Sequence, residues 1–193
     1  MSGSTDEDLV RAVRSGDTDS LGVLVARWEQ PLFRFVYRLM PRSEDARDIC
    51  QETFLRILRS ADRFRDGSRF STWMYQIALN LCRDHLRRRQ RWGRLLTDGP
   101  AATERASAAP SRSLEGDPGQ AIERDETSRA VQWALAQIPP GQREVLVLKE
   151  FEGLKFREIA EILGCPESTV KSRMYGGLCG VRKALERHGF REV

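Results

Sequence analysis

The chain has 193 residues, of which 40% are hydrophobic and 31% charged, with a formal net charge of +4. That balance suits one or two ordinary domains with a sizeable core. No apolar run approaches the ~20 residues needed to span a bilayer, and the N-terminus lacks the basic start and apolar core of a signal peptide, so the expected location is the cytoplasm.

Thr5 is placed to cap a first helix over Thr5 to Ser15, with Asp6, Glu7 and Asp8 in its first turn and Leu9, Val10 and Val13 on its apolar side. A second helix is expected from about Thr18 to Met40, burying Leu21, Leu24, Val25, Trp28, Leu32, Phe35, Val36 and Leu39. Pro31 falls inside that pattern and should bend or split the helix. Ser43 opens a third helix whose inward face is Ala46, Ile49, Thr53, Phe54, Ile57, Leu58 and Ala61. Its other side carries Asp45, Asp48, Gln51 and Glu52. Asp45, Asp48 and Glu52 lie at i, i+3 and i+7 and make one acidic stripe. No histidine, glycine-rich loop or nucleophile accompanies them, which disfavours acid–base catalysis or a metal site. The stripe suits a solvated face and a docking surface for a basic partner about equally.

A break follows at Arg63 to Arg69, centred on Gly67 and Ser68, with Ser71 or Thr72 as the expected cap of the next helix. In that helix, FSTWMYQIALNLCRDHLRRRQRW, the residues Phe70, Trp73, Met74, Ile77 and Leu81 face inward. Thr72, Gln76, Asn80, Arg83 and Arg87 line its outer side, and Arg87, Arg88, Arg89 and Arg91 end it. Basic residues near a helix C-terminus complement its dipole. Hydrogen-bonding side chains, aromatics and arginines together also suit single-stranded nucleic acid, the rings stacking on bases and the arginines holding phosphates. From about Gly93 to Gln120 the pattern dissolves into Gly, Pro, Ala and Ser, the composition of a flexible linker.

A second domain starts near Asp117 or Pro118. Ala121, Ile122, Ala130, Val131, Ala134, Leu135 and Ile138 mark a helix to about Gln137, which Pro139 and Pro140 stop. A short helix from Gln142 to Phe151 buries Val145, Leu146 and Leu148, and Gly153 ends it. Lys155 to Leu185 then reads as two helices about a tight turn. Phe156, Ile159, Ala160 and Leu163 form the first apolar face. Gly164 supplies the positive φ of a sharp helix end, and Pro166 allows a new helix to begin. Val170, Met174, Leu178, Val181 and Leu185 form the second apolar stripe, with Lys171, Ser172 and Arg173 outward. This helix-turn-helix pattern serves to place its second helix in a DNA major groove, though an αα-corner with a solvated basic face has the same look. No strand-like alternation of any length occurs. The expected fold is all-α, with two helical domains over 1–93 and 121–193 and a flexible linker over 94–120.

Charge is segregated along the chain, at +4 through Gly93, −3 from Arg94 to Glu126 and +3 thereafter. Two basic modules joined by an acidic connector suit contact with a polyanion at two places. Cys50, Cys82, Cys165 and Cys179 are scattered without a CxxC, and His85 and His188 are the two histidines, so neither a zinc site nor any other cofactor is expected. Reduced thiols acting as small hydrophobes account for the cysteines.

Three segments, DARDICQETFLRIL, FRDGSRFSTWMYQIALNLCRDHLRRR and QIPPGQREVLVLKEFEGLKFREIAEILGCPESTVKSR, stand in one order with a linker before the third. Together they closely resemble bacterial RNA polymerase sigma factors of the small extracytoplasmic-function group. The resemblance implies a transcription initiation factor that performs no bond chemistry. Its partners would be core RNA polymerase (the coiled coil of the largest subunit and the flap of the second), promoter DNA as duplex and single strand, and an anti-sigma factor. By position, Asp45, Asp48, Gln51 and Glu52 fall where the family grips the polymerase coiled coil. Phe64, Ser68, Phe70, Trp73, Gln76, Asn80, Arg83, Arg87 and Arg88 fall where it captures a flipped base and tracks the opened strand, although Phe70 and Trp73 suit a purely core role as well. Arg157, Glu167, Ser168, Thr169, Lys171, Ser172, Arg173 and Tyr175 fall where it reads the upstream promoter element. After Arg173 the family continues with basic residues, whereas this chain has Met174, Tyr175, Gly176, Gly177, Leu178, Cys179 and Gly180. Each glycine costs a helix interior up to about 1 kcal/mol, which predicts a looser second half of the recognition helix with fewer phosphate contacts. Close packing against another helix or a partner is the other reason for small residues there. A stand-alone helix-turn-helix regulator is the competing function, but it needs no strand-capture surface such as Trp73 to Arg91.

Overall fold

The structure, a computed structural model, describes residues 4–40, 42–97 and 126–189, and every regular element among them is helical. Eight α-helices follow in order: α1 Asp6–Arg14, α2 Thr18–Leu39, α3 Ser43–Arg59, α4 Phe70–Thr97, α5 Glu126–Gln137, α6 Pro140–Leu146, α7 Phe156–Leu163 and α8 Glu167–Arg187. A 3-10 turn, Ala61–Arg63, leads out of α3, and a π-helical turn, Val147–Phe151, extends α6. The all-α expectation holds.

Local chemistry starts α1 as expected. The Asp8 amide donates to Thr5 Oγ1 at 3.1 Å while the Thr5 amide donates to Asp8 Oδ2 at 3.2 Å, a reciprocal cap. The Thr5 hydroxyl donates to Asp8 Oδ2 as well, at 2.6 Å, and with the Thr5 amide it holds the Asp8 carboxyl below its ordinary pKa. Asp6 ties α1 to α2, accepting from Trp28 Nε1 and from Arg27 Nη1, each at 2.9 Å. Contrary to the possibility of a split at Pro31, α2 runs through it. Leu24 before the proline and Leu32, Phe35, Val36 and Leu39 after it are all buried in one core. Burying each such side chain contributes ~1.5–3 kcal/mol, enough together to offset a proline penalty of ~3 kcal/mol.

Three further expectations need correction. Leu58 does not face inward but is 38% exposed, and Cys50 takes a buried place on α3 instead. The reason is phase: Leu58 lies off the line through Ala46, Ile49, Thr53 and Ile57. Thr72 is buried rather than outward, because on α4 it shares a face with the buried Tyr75 and Leu79, three and seven residues on. The same helix continues to Thr97, so the first residues of the expected linker are helical. The rest of that linker, and the helix start expected at Ala121 and Ile122, lie outside the described residues.

The buried side chains form one continuous cluster that crosses from the N-terminal helices into the C-terminal ones. Phe35, Phe70, Leu24 and Met74 anchor the first part, and Leu135, Leu148 and Ile159 the second. Along the seam, α2 and α4 meet α5, the π turn and α7.

The glycines of α8 are packing residues, the other of the two roles the sequence allowed them, in a helix that is unbroken to Arg187. A Cβ on Gly177 would stand 2.9 Å from Leu146 Cδ1, and one on Gly180 would stand 2.7 Å from Ile138 Cγ2. The missing side chains let α8 lie close on α5 and α6. They also shift the buried line, which is Val170, Met174, Gly177 and Ala184, leaving Leu178 at 45% exposed. Gly180→Val should therefore cost about 1–3 kcal/mol by overpacking against a β-branched neighbour. Gly22→Ala, at a helical position with nothing within 4 Å of the new Cβ, should gain about 1 kcal/mol. Urea unfolding of the two variants beside the parent reads both signs.

Candidate nucleic-acid and partner interfaces

The loop between the 3-10 turn and α4 is built around Gly67, whose φ of +86° is one that side-chain-bearing residues rarely adopt. The Ser68 amide closes the turn onto the Arg65 carbonyl at 3.1 Å. Beside it opens a cleft of about 630 Å³ lined by Phe64, Asp66, Gly67, Ser68 and Arg69 of the loop and by Thr5, Glu7 and Arg11 of α1. Glu7 Oε1 accepts the Phe70 amide at 2.9 Å, so α1 satisfies a donor at the start of α4 and pins the loop. The share of α1 in this cleft was not foreseen from the sequence. The visible hint was a run of three acids at a helix that Thr5 and Asp8 already cap. Glu7→Ala should cost about 1 kcal/mol and speed exchange of the Phe70 amide selectively, as loss of a helix cap does.

The aromatic candidates divide. Phe70 has no exposed surface, and its ring lies 5.8 Å from Trp28 and 6.5 Å from Trp73. Here it is a core residue, the second of the two roles the sequence left open for it. Phe64 is 3% exposed, with its ring 5.2 Å from the half-buried Trp73, and it reaches the cleft as part of the wall. Gln76, Asn80, Arg87 and Arg88 stand exposed along α4. Arg83 departs from that outward line. Its Nε and Nη2 donate to the two carboxylate oxygens of Glu144, at 2.9 and 2.6 Å. The bonds keep the guanidinium firmly charged.

On α3 the acidic stripe is not uniform. Asp45 turns toward α4, where Oδ2 lies 3.4 Å from both His85 Nε2 and Arg89 Nη1. Asp48 and Gln51 are exposed, and Glu52 pairs with Arg56 at 3.1 Å. Leu55, one turn further along the same face, is 45% exposed. Leu55 thus adds one exposed apolar side chain to the acids and amide of this face.

The helix-turn-helix forms as read. Gly164 ends α7 at φ 64° and ψ 38°, and the Lys155 amide donates to Glu158 Oε2 at 2.7 Å to start it. Arg157, Glu167, Ser168, Lys171 and Ser172 are exposed, Thr169 is half-buried, and Tyr175 is 71% exposed. Arg173 is half-buried, with its guanidinium carbon 3.6 Å from where a Cβ on Gly141 would be, so it packs on α6 as well as edging the recognition face.

Residues 24–92 match the family model described as Sigma-70 region 2, and residues 128–178 match that described as Sigma-70, region 4. The RNA polymerase sigma-H factor of Pseudomonas aeruginosa is 33% identical over 189 residues, covering 94% of each chain. The ECF RNA polymerase sigma factor SigW of Bacillus subtilis is 33% identical over 177 residues, covering 91% of this chain and 94% of its own. The sigma factor RpoE of Bartonella quintana, solved with the anti-sigma factor NepR, superposes with a TM-score of 0.66 at 23% identity, over 88% of this chain and 98% of that one, a likeness of fold. No helix among the described residues is long and apolar enough to cross a membrane.

Proposed function

The chain belongs to the extracytoplasmic-function group of sigma-70 RNA polymerase sigma factors, and from that premise we propose how its surfaces divide the work. It binds core RNA polymerase, directs it to a limited set of promoters and helps open the DNA, acting in the cytoplasm and performing no bond chemistry. The outer face of α3, with Asp48, Gln51, Glu52 and Leu55, docks on the polymerase. The cleft beside Ser68 takes a base flipped from the strand, and Gln76, Asn80, Arg83, Arg87 and Arg88 follow that strand along α4. The α8 face, with Lys171 and Ser172 at its centre and Arg157 beside it, reads the upstream element as duplex. Residues 1–93 make the first domain, with α4 carrying it on to Thr97, and 121–193 the second. The stretch between them sets their effective concentration for one another on the promoter. An anti-sigma factor is an expected partner, as one was solved with the Bartonella relative.

The observation that carries this reading is the match to both sigma regions in order, with a cleft in the first and an exposed recognition helix in the second. The test mixes purified protein with core polymerase and a promoter library and maps the transcripts. Defined start sites that require the protein are expected. Duplex binding without a polymerase complex would point to a stand-alone regulator instead.

A further inference from the structure

The cleft beside Gly67 owes part of its chemistry to α1 and not to the loop. Thr5, Glu7 and Arg11, from α1 and its cap, form one side of it. The two arginines of the lining already face carboxylates: Arg11 Nη1 lies 3.0 Å from Asp8 Oδ1, and Arg69 Nη1 lies 3.0 Å from Glu158 Oε1. Glu7 and Asp66 add two further carboxylates to the walls. Such a lining repels a phosphate and favours a group that brings N–H donors of its own. Glu7 is the better fixed of these two acids. It is half-buried where Asp66 is exposed, and its Oε1 accepts the Phe70 amide at 2.9 Å. A carboxylate has lone pairs on both oxygens, which leaves Oε2 for a ligand. Beside it, Phe64 supplies an apolar wall and Ser68 a hydroxyl that can donate.

We propose that Glu7 sets which base the cleft accepts: an amino base, cytosine or adenine, in preference to a keto base, thymine or guanine. The inference rests on the capture of a flipped base at this cleft, and names its specificity. A flipped base is read on its Watson–Crick edge. Cytosine and adenine carry an exocyclic amine there, next to a ring nitrogen that accepts. The amine donates to Glu7 Oε2, the ring nitrogen accepts from the Ser68 hydroxyl, and the ring face lies on the Phe64 wall. Thymine and guanine present a carbonyl oxygen in the amine's place. That oxygen would meet the carboxylate lone pairs and leave both groups without a donor. Because Glu7 is pinned by the Phe70 amide, its free oxygen cannot turn away to suit the other pair of bases.

The test uses holoenzyme assembled from the full-length protein and core RNA polymerase. It is mixed with promoter DNA whose non-template strand is randomised over the opened stretch, and the DNA retained in open complexes is sequenced. One position should enrich amino bases over keto bases by about tenfold, the scale of one good base contact. In Glu7→Gln the side-chain oxygen must face the Phe70 amide, which turns the NH2 group toward the cleft. Preference at that position should then reverse to keto bases, while the other positions and the exchange rate of the Phe70 amide stay as in the parent. A role confined to holding the loop would move the exchange rate and not one base preference. A second arm leaves the protein unaltered and replaces the preferred base by its analogue without the amine, 2-pyrimidinone for cytosine or purine for adenine. Retention by the parent should fall about tenfold, and retention by Glu7→Gln by less than about twofold. If the parent prefers a keto base, or if an amino preference survives Glu7→Gln and yields instead to Asp66→Asn, the proposal fails while base capture stands. If the parent shows no base preference anywhere in the opened stretch, the capture reading fails and takes the proposal with it.

Discussion

Replacing both Asp48 and Glu52 with arginine is expected to abolish capture of core RNA polymerase while leaving helical content intact. Asp48 is exposed, and Glu52 makes only a partly exposed pair with Arg56 on its own helix. Neither belongs to the buried line of Ala46, Ile49, Cys50, Thr53, Phe54 and Ile57 that fastens α3 to its neighbours. Exposed pairs of that kind contribute ~0–1 kcal/mol to folding, so the fold should tolerate the change. At an interface the result differs, because placing like charges against each other costs several kcal/mol. A loss of at least about 100-fold in polymerase affinity follows, read by a pull-down beside circular dichroism. Asp45 is left out of the design. Its contacts with His85 and Arg89 join α3 to α4, and changing it would confuse loss of docking with loss of packing. Unchanged polymerase binding by the double variant would place the docking surface elsewhere.

What could be read from the sequence was local. The cap at Thr5 and the turn at Gly164 depend on neighbours a few residues away, and both form as expected. The outward line of Gln76 and Asn80 follows from helical phase and is exposed. Arg83 belongs to the same line by phase, yet a residue 61 positions on claims it. No periodicity carries that pairing. The signal was on the other side, since Glu144 directly precedes the apolar run Val145 to Leu148. A buried acid within a core helix needs a cation from somewhere. The misread stripe of α8 has a different cause. Pattern reading scores large apolar side chains as buried, so it chose Leu178 and passed over Gly177. In the packed helix the glycine is inside because the neighbouring helix lies too close for anything larger. Pro31 failed to split α2 for a third reason: the core on both sides of it outweighs a local preference.

Lys171→Glu is expected to lower binding to promoter duplex more than tenfold and to silence transcription from it. The recognition helix has an exposed cation at Lys171, while Arg173 is partly drawn onto α6. From Met174 to Gly180, directly after Arg173, the exposed positions are Tyr175, Leu178 and Cys179, and exposed cations return only at Arg182 and Lys183. Fewer cations share the phosphate or base contacts, so each carries more of the binding. A good base contact is worth about 1–3 kcal/mol, and reversing the charge adds repulsion from the backbone. Lys171→Ala then distinguishes the two roles. If the ammonium holds a phosphate, binding weakens evenly across promoter variants and the salt slope falls by about one. If it reads a base edge, preference relaxes at a single promoter position. The lysine lies 5.8 Å from the Phe156 ring on α7, a distance at which the ring only weakly restrains it, so either contact is within its reach. Duplex affinity and promoter preference both unaffected by Lys171→Glu would mean that this face does not enter the groove.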